Sequence, residues 1–332
     1  MMGGRAMQIY DVGVVIVGMN AHDFVRDCFV SLAGADWGGY TKQLVYVDNG
    51  STDGTAAMVR RQFPAVHVIE NDANLGYCKA ANQGAKTTDC RYLLFLNDDT
   101  EIVGTAIPTL VNYLESNPAV ATAGARLIFP DGADQWSGRR FPDFLSSLMG
   151  RRSWLAKVLP GVPTVRSYLC KDELLRGEPF ECDWVSAAGQ IFRTEDFWAV
   201  GGFAEDYYYW HEMVQCLRIK RRGRKVALVP AATIIHFEGQ GSGPRPYHRQ
   251  KFHILDFHKG AFRAYLEHQN ISARHPRAMV AGTALLARAV ALLSIWRLRT
   301  LLQTLPKREP FKRGPLEDEL NVHVAVRPND PH

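Results

Sequence analysis

Apolar runs and segments of helical periodicity alternate along the first 125 residues. The apolar runs are short and rich in β-branched residues, which predicts strands over 12–17, 44–47, 66–69, 92–96 and 120–123. Apolar side chains three to four positions apart predict helices over 22–33, 54–62, 77–86 and 105–115. Strand and helix in strict turn, with strands apolar throughout, favour a parallel sheet covered by helices on both faces, and therefore an α/β fold.

The second part of the chain is less regular. Residues 126–182 are predicted to form an insertion or flap with short helices. The pattern then predicts a strand in 183–192, a helix over 207–221, strands over 225–229 and 233–236, and helices over 247–305. The last residues, rich in proline and charge, are expected to be a loose tail. We expect a domain over 1–245 with halves 1–125 and 126–245, a helical region over 246–305 and a tail over 306–332.

The composition is that of a folded protein with a sizeable core. Of 332 residues, 46% are hydrophobic and 22% are charged, which excludes a disordered chain, a collagen-like repeat and a disulfide scaffold. The six cysteines occur singly, without a C-x-x-C pair, so a structural zinc site is disfavoured. No apolar run follows the single basic residue near the N-terminus, so we expect a cytoplasmic protein with reduced thiols.

Charge is distributed unevenly along the chain. Residues 1–125 carry 8 basic and 13 acidic side chains, whereas 126–332 carry 31 and 21. Near the C-terminus, Arg277, Arg288 and Arg299 recur every 11 residues among apolar side chains. A basic, apolar helix suits peripheral binding to an anionic membrane, while packing in a helical subdomain or a homo-oligomer interface remains open. Nucleic acid is the weakest candidate partner, because no stacking motif accompanies the charge.

Clusters of polar residues follow several predicted strands. They occupy positions 19–20, 48–54, 71–76 and 97–100. Any one of them is typical of a capped turn. Parallel strands, however, bring their carboxyl ends to one edge of the sheet, where such folds bind ligands. Together the clusters therefore favour a binding site.

The tripeptide Asn97-Asp98-Asp99 offers oxygen ligands for Mg²⁺ or Mn²⁺. Water and substrate phosphates would complete the coordination, which suits a nucleoside diphosphate whose charge must be neutralised as it departs. The alternative role is capping of the following helix. Other nucleotide and hydrolase folds are disfavoured, because the chain lacks G-x-G-x-x-G after its first strand, a G-x-x-x-x-G-K-[ST] loop and a G-x-S-x-G elbow.

A series of motifs, in order along the chain, resembles family 2 glycosyltransferases. The first half contributes V-D-N-G-S-T-D-G at 47–54, N-L-G at 74–76, N-Q-G at 82–84 and L-N-D-D-T at 96–100. The second half contributes D-W-V-S-A-A at 183–188, G-G-F at 201–203, V-P-A at 229–231 and H-F-E at 236–238. The match spans roughly 12–245 and is most similar to the branch that contains rhamnosyltransferases of bacterial surface polysaccharides.

The resemblance implies a GT-A fold, with a mostly parallel sheet and flanking helices, and an inverting transfer from a nucleotide sugar. It also implies a divalent metal, Mn²⁺ or Mg²⁺. His236 joins the metal ligands only through the resemblance, because by itself it would be interpreted as a core or capping histidine. The implied metal ligands are Asp99, Asn97 and His236, and the implied donor-binding residues are Asn20, Asp48 (on the nucleobase), Asn74, Gly76, Asn82 and Asp98.

The catalytic base is expected where the family usually has E-D-x-D and this chain has H-E-M-V, at 211–214. Glu212 keeps a carboxylate one methylene longer than Asp, and we expect it to take the acceptor proton, with His211 second. The alternative role of both is an ordinary first turn of a helix. His211 stands where the family usually has Glu, and Val214 and Ala204 stand where it usually has Asp. Because a displacement of a catalytic group by about 1 Å can cost about 100-fold in rate, these departures raise the alternative of a degenerate scaffold subunit.

The acceptor is expected near Trp184, Ser186 and Ala187. The aromatic run at 207–210, with Trp184, is equally well explained as a sugar platform or as core. The sequence therefore predicts a metal-dependent transferase at the inner face of the membrane. It would move a sugar, with rhamnose the first to consider, from a nucleoside diphosphate to a glycan or polyprenyl-linked saccharide. A nucleotidyltransferase is a further alternative, distinguished by release of pyrophosphate.

Overall fold

The computed structural model describes residues 9–142, 163–238 and 247–302, with side chains over 251–297 in the last segment. Of the insertion predicted over 126–182, residues 143–162 therefore lie outside the described residues, as does the predicted tail. The described strands are β1 (Tyr10–Gly18), β2 (Lys42–Asp48), β3 (Val66–Glu70), β4 (Cys90–Asn97), β5 (Thr100–Ile102), β6 (Val120–Ile128), β7 (Gly138–Arg139), β8 (Phe180–Cys182), β9 (Trp184–Val185), β10 (Gly189–Arg193) and β11 (Lys225–His236).

The described helices are α1 (His22–Gly34), α2 (Thr55–Gln62), α3 (Tyr77–Lys86), α4 (Ala106–Ser116), α5 (Pro163–Tyr168), α6 (Lys171–Leu175), α7 (Thr194–Ala199), α8 (His211–Arg221), α9 (Tyr247–Gln269) and α10 (Pro276–Leu302). In the first half of the chain, α1 to α4 alternate with strands between β1 and β6, as the periodicity predicts.

Nine strands form one mixed sheet, in the order β3-β2-β1-β4-β10-β6-β11-β5, with β8 paired to β11. The first four strands pair in parallel, as predicted. The expectation that β6 continues this parallel run is wrong in one respect, because β10 lies between β4 and β6 and is antiparallel to both. The remaining strands β7 and β9 form a separate pair.

Apolar side chains cover both faces of the sheet. One face packs against α1, α2 and α4 through residues such as Phe29 and Leu110, and the other against α3, α7 and α8. On the second face Phe95, Phe192 and Phe203 meet with ring centroids 4.8–5.9 Å apart. The helix α3 lies close to the sheet because Gly84 faces it, and a Cβ there would come within 2.7 Å of Val15. This two-sided burial confirms the sheet with helices on both faces.

Several predicted boundaries in the second half move. The predicted helix over 207–221 begins only at His211, because Trp210 adopts a left-handed conformation with φ of 71°. The two strands predicted over 225–236 are one strand, β11, with an irregular register between Val229 and Thr233. The region predicted as helical over 247–305 forms α9 and α10, separated near Asn270, which also has a positive φ.

The helix α10 packs against α9 by one face only. Ala278, Ala281 and Leu285 are buried there, and Gly282 lies against the Phe262 ring. Pro276–Arg297 is, among the described residues, one helix long and apolar enough by length and composition to cross a membrane, and 22% of it is buried. This stretch includes Arg288, which lies between two shorter uncharged runs. Length and composition alone are weak support for a span, because a soluble core helix passes the same test.

Candidate active site

The carboxyl ends of β1, β2 and β4 meet at one edge of the sheet, as predicted. Gly18 pairs with Asp48 across β1 and β2, and Val17 pairs with Asn97 across β1 and β4. Gly18 is needed there, because a Cβ would lie 2.7 Å from the Tyr46 hydroxyl and 3.0 Å from Asp98 Oδ2. The edge opens into a cleft of about 270 Å³, lined by Val17, Gly18, Met19, Asn49, Asn74, Tyr77, Asp98 and Tyr208.

Two of the polar clusters form one hydrogen-bonded network. Asn49 Oδ1 accepts from the Leu75 backbone N–H at 3.0 Å, and Asn49 Nδ2 donates to Asn74 Oδ1 at 3.0 Å. Asn74 Oδ1 also accepts from the Gly76 N–H at 2.8 Å, and Gly76 has a φ of 83°. The loops after β2 and β3 therefore hold each other, and the network places Asn74 in the cleft wall.

Asp48 is buried, with 3% of its surface exposed. Its Oδ2 accepts from the Ser51 N–H at 3.0 Å, and its Oδ1 accepts from the hydroxyls of Ser51 and Tyr46. Asn20 joins the same loop, because its Oδ1 accepts from the Thr52 N–H at 2.8 Å and its own N–H donates to Ser51 Oγ. Both predicted donor residues thus shape the loop after β2 in this structure.

Asn82 does not face the cleft. Its Nδ2 donates to the Phe203 carbonyl at 2.9 Å and to Glu205, and its Oδ1 accepts from the Phe203 N–H. The side chain is buried, and its amide joins α3 to the segment before α8. Its hydrogen-bonding groups are thus used within the protein, and the donor-binding role of Asn82 stays a prediction.

Asp98 is half-buried at the floor of the cleft. Burial, followed by the neighbouring Asp99 carboxylate, raises the pKa of Asp98 to about 8. A carboxyl group with such a pKa changes charge near neutral pH, which makes its charge sensitive to a nearby cation. Its position in the cleft agrees with the expected donor side of the site.

Asn97, Asp99 and His236 come together, although 139 positions separate Asn97 from His236. The pairing of β5 with β11 sets Thr100 opposite His236 and so brings the histidine to the aspartates. His236 Nε2 lies 3.2 Å from Asp99 Oδ1 and 3.2 Å from Asn97 Nδ2, and His236 and Asp99 are 6% and 8% exposed. Asp99 Oδ1 accepts no hydrogen bond of good geometry from the described part of the chain.

These residues fit a divalent cation, because a buried carboxylate oxygen without a hydrogen bond faces an imidazole nitrogen and an amide. The set is small: no cluster of three or more His, Cys, Asp or Glu that could hold a metal occurs within the described ranges. A cation here would have Asp99 and His236 as its main protein ligands and would need oxygen atoms from substrate and water.

The two candidate bases are neighbours at the N-terminus of α8 and differ in their surroundings. Glu212 is half-buried, and its Oε2 lies 3.7 Å from His211 Nδ1. The His211 ring is buried against Tyr77, 5.0 Å away, and Phe203, 5.5 Å away. Because this packing places the imidazole behind the cleft-lining Tyr77, His211 is poorly placed to meet an acceptor, and Glu212 is the better candidate.

The three predicted acceptor residues are mostly interior. Trp184 and Ala187 are 5% and 3% exposed, and the Trp184 indole donates to the Arg140 carbonyl at 3.0 Å. Ser186 is half-buried, with its backbone held to Ser137. Of the aromatic run at 207–210, Tyr207 is core and Tyr208 is exposed in the cleft wall. Tyr207 therefore agrees with the core interpretation, whereas the role of the run as a sugar platform stays a prediction.

Two residues of the site were missed from sequence, Tyr77 and Gln135. Tyr77 lines the cleft, but a single tyrosine carries no distinctive pattern. Gln135 contacts His236 from the loop between β6 and β7, which was expected to belong to an insertion. The Pro-Asp-Gly turn just before it was the one local signal of an ordered loop.

A mixed sheet with flanking helices and polar loops at the carboxyl ends of its strands is the architecture of the GT-A fold. The model of the family described as glycosyl transferase family 2 matches residues 13–178, half of the chain. The chain therefore belongs to glycosyl transferase family 2 and is a glycosyltransferase.

Three comparisons describe its neighbours. It is 27% identical, over 67% of its length and 78% of the relative's, to N-acetylglucosaminyl-diphospho-decaprenol L-rhamnosyltransferase of Mycobacterium tuberculosis. It is 29% identical, over 50% of its length and 59% of the relative's, to Rhamnosyltransferase WbbL of Escherichia coli K12. The solved structure of GalNAc-T7 with UDP, GalNAc and Mn²⁺ superimposes with a TM-score of 0.53 and 17% identity, over 74% of this chain and 48% of that one, and thus shares the fold.

Proposed function

We propose that this glycosyltransferase moves a sugar, with inversion, from a nucleoside-diphosphate sugar to a saccharide carried on a polyprenyl diphosphate. The observation that carries the proposal is the convergence of Asp99, His236 and Asn97 beside the cleft at the carboxyl edge of the sheet. A buried site of this kind suits a diphosphate bound through a divalent cation.

The donor would occupy the cleft between the loops after β1, β2 and β4. Asp99, His236 and Asn97 would hold Mn²⁺ or Mg²⁺, which neutralises charge developing on the diphosphate as it leaves. The Asn49–Asn74 network would form the wall beside the nucleotide, and Asp48, next to it, would contact the nucleobase. The Mn²⁺ of the GalNAc-T7 structure supports a divalent metal in this fold.

Glu212 is our candidate for the catalytic base. An acceptor hydroxyl would attack the anomeric carbon, the bond from that carbon to the diphosphate oxygen would break with its electron pair, and Glu212 would take the hydroxyl proton. Tyr77 lines the cleft, and both Asp98 and Glu212 help to raise its pKa, after burial and Cys78. Glu212 therefore lies within electrostatic reach of the same ring that closes the donor cleft.

The identity of the sugar and of the acceptor comes from the relatives. Two matched relatives are rhamnosyltransferases, and the mycobacterial one is named for a decaprenol-linked N-acetylglucosaminyl diphosphate. We infer a rhamnosyl donor and a polyprenyl-linked acceptor for this chain. Because such an acceptor resides in a membrane, we propose that the enzyme lies at the cytoplasmic face of that membrane.

The outer face of α10 suits that location. Met279, Val280, Leu286 and Val290 are 54–63% exposed on it, without a charged residue among them. The exposed residues Arg277 and Arg297 flank the face. An apolar strip with cations at both ends is complementary to an anionic membrane surface, so we propose peripheral binding through this helix.

The test of the proposed reaction is a transfer assay with purified protein, a nucleoside-diphosphate rhamnose and a polyprenyl-diphosphate-linked N-acetylglucosamine. We expect release of nucleoside diphosphate, loss of turnover on chelation and recovery with Mn²⁺ or Mg²⁺. Release of pyrophosphate would instead indicate a nucleotidyltransferase. Binding of the donor without any turnover, across a panel of saccharide acceptors, would indicate a scaffold subunit and overturn the proposal.

A further inference from the structure

Gln135 lies in the interior between β6 and β7, with 2% of its surface exposed. Its backbone N–H donates to the Leu127 carbonyl at 2.9 Å, which anchors the residue to the end of β6. From there its side chain reaches His236, 101 positions away in the sequence. A buried amide so far from solvent must find its partners within the protein.

The orientation of the Gln135 amide follows from its partners. Its Nε2 lies 2.6 Å from the His236 carbonyl oxygen and 3.5 Å from the Ile128 carbonyl oxygen. Carbonyl oxygens only accept hydrogen bonds, so the amide nitrogen must be the group that faces them. The amide oxygen Oε1 therefore faces His236 Nδ1, at 2.8 Å.

This orientation fixes the tautomer of His236. Because Oε1 only accepts, the proton of the neutral imidazole resides on Nδ1, and Nε2 carries a lone pair. Asn97 Nδ2, a donor, lies 3.2 Å from Nε2 and agrees with that assignment, and a bound cation would replace this hydrogen bond. One amide thus binds both the ring and the backbone carbonyl of the same histidine, which limits rotation of the ring about its side-chain torsions.

The consequence appears at Asp99. Its Oδ1 lies 3.2 Å from Nε2, and within the described residues it accepts no hydrogen bond of good geometry. With the proton held on Nδ1, two electron-pair donors face each other in a buried position. Such a pair is unfavourable alone and favourable around a cation.

We propose that Gln135 is a positioning residue that holds His236 in the Nδ1–H tautomer and so directs the Nε2 lone pair toward a divalent cation at Asp99. The inference rests on the proposed metal site. Outer partners of this kind set the orientation and basicity of a ligating imidazole, and their loss typically weakens metal binding by about 10- to 100-fold.

The experiment measures Mn²⁺ affinity of the full chain, without donor, by electron paramagnetic resonance of free Mn²⁺. We compare the parent with Gln135→Leu, His236→Ala and the double variant. Gln190→Leu is the matched control, because Gln190 is also a fully buried amide and its Nε2 donates to Thr122 rather than to His236. We expect Gln135→Leu to bind about 10- to 100-fold more weakly, Gln190→Leu to match the parent, and the double variant to bind no more weakly than His236→Ala.

A second readout follows the ring directly in the metal-free protein. Nitrogen-15 NMR of labelled histidine should report the Nδ1–H tautomer for His236 in the parent and in Gln135→Glu, whose carboxylate still accepts from Nδ1. Gln135→Leu should lose it, while the thermal unfolding midpoint shows that the variant remains folded. This readout does not depend on metal or on transfer.

The outcomes separate the two proposals. Parent-like Mn²⁺ affinity and tautomer in folded Gln135→Leu would overturn the positioning role and leave the metal site intact. Parent protein that binds Mn²⁺ no better than Asp99→Ala or His236→Ala would overturn both the metal site and the role of Gln135. A Gln135→Leu variant too unstable to measure is replaced by Gln135→Glu, for which loss of the Nδ1–H tautomer would overturn the inference.

Discussion

The His211 ring lies 5.0 Å from the Tyr77 ring at an interplanar angle of 34°. Neither the Tyr77 hydroxyl nor either ring nitrogen of His211 has a hydrogen-bond partner among the described residues. The contact is therefore one of packing, which joins the first turn of α3 to the first turn of α8. It holds the residue next to the candidate base against the wall of the donor cleft.

This contact predicts the effect of substitutions at Tyr77 on stability. Because its hydroxyl is buried and unpaired, Tyr77→Phe should leave the free energy of unfolding unchanged or raise it by up to about 1 kcal/mol. Tyr77→Ala should lower it by about 3–5 kcal/mol through the lost ring. Urea unfolding checks both. Tyr40→Phe is the control, since its hydroxyl donates to Asn112 at 2.6 Å and its loss should be destabilising; an equal loss in Tyr77→Phe would show that the Tyr77 hydroxyl is paired.

The carboxylate of Asp99 should be required for transfer and dispensable for folding. We expect Asp99→Asn to lower kcat by about 100-fold or more, because charge that develops on the leaving diphosphate loses its stabilisation. Circular dichroism should be unchanged. Asp36→Asn is the control and should retain parent activity, because Asp36 is exposed and is none of the predicted site residues. Full turnover in Asp99→Asn would remove Asp99 from the metal site.

Glu212 should affect the chemical step more than donor binding. Glu212→Gln keeps the shape of the side chain but cannot take a proton, so kcat should fall by about 10² to 10⁴ while the donor dissociation constant changes little. Single-turnover kinetics with a donor-binding assay separate the two. Glu195→Gln, exposed on α7, should behave like the parent. A His211→Ala variant that loses more activity than Glu212→Gln, at equal stability, would reverse the ranking of the two bases.

The thiols predict alkaline instability. Burial, as the largest cause, raises the pKa of Cys28, Cys170 and Cys216 from 9.0 to about 12. The unfolded chain therefore releases these protons at lower pH than the native protein. Their contribution to stability should be complete below about pH 9 and be lost as the pH rises toward 12. At pH 8 a thiol-disulfide reagent should react slowly with native protein and rapidly with all six cysteines in denaturant; fast native labelling would contradict the burial of the thiols.

The outer face of α10 predicts binding to anionic vesicles. Parent protein should float with phosphatidylglycerol-containing vesicles and less with phosphatidylcholine alone, and salt should weaken the difference. Leu286→Glu should reduce binding to vesicles by about tenfold or more, because a leucine that becomes buried in the membrane contributes about 1.5–3 kcal/mol. Val30→Glu, at a comparably exposed valine of α1, should bind like the parent. A dimer that light scattering detects in the parent and not in Leu286→Glu would assign the face to a second copy instead.

The first half of the fold was predictable because its signals are local. The alternation of apolar runs and helical spacing places β1 to β4 and α1 to α4 within a few residues of the observed elements. Polar residues after each strand then follow to the same edge from parallel pairing alone. The position of β10 was not predictable in this way, because a strand of five residues does not encode which neighbours it will pair with or in which direction.

The candidate site shows the same division. Asn97, Asp98 and Asp99 form a recognisable motif, and His236 was found through the family pattern. Asn82 also lies in a recognisable motif, yet its fate depends on a contact with Phe203, 121 positions away, which buries its amide. Gln135 is the opposite case: no motif marks it, and only the folded chain brings it to the histidine.

The antiparallel strand β10 also sets an order of assembly. It is the element that joins β4 to β6, so the β1–β4 half of the sheet keeps an open edge until residues 189–193 have been synthesised. An unpaired edge of buried, apolar strands is prone to association with other chains. A nascent chain that ends before this point would leave the edge of β4 unpaired. Without β10, the strands that carry the donor cleft would not be joined to β6 and the rest of the sheet.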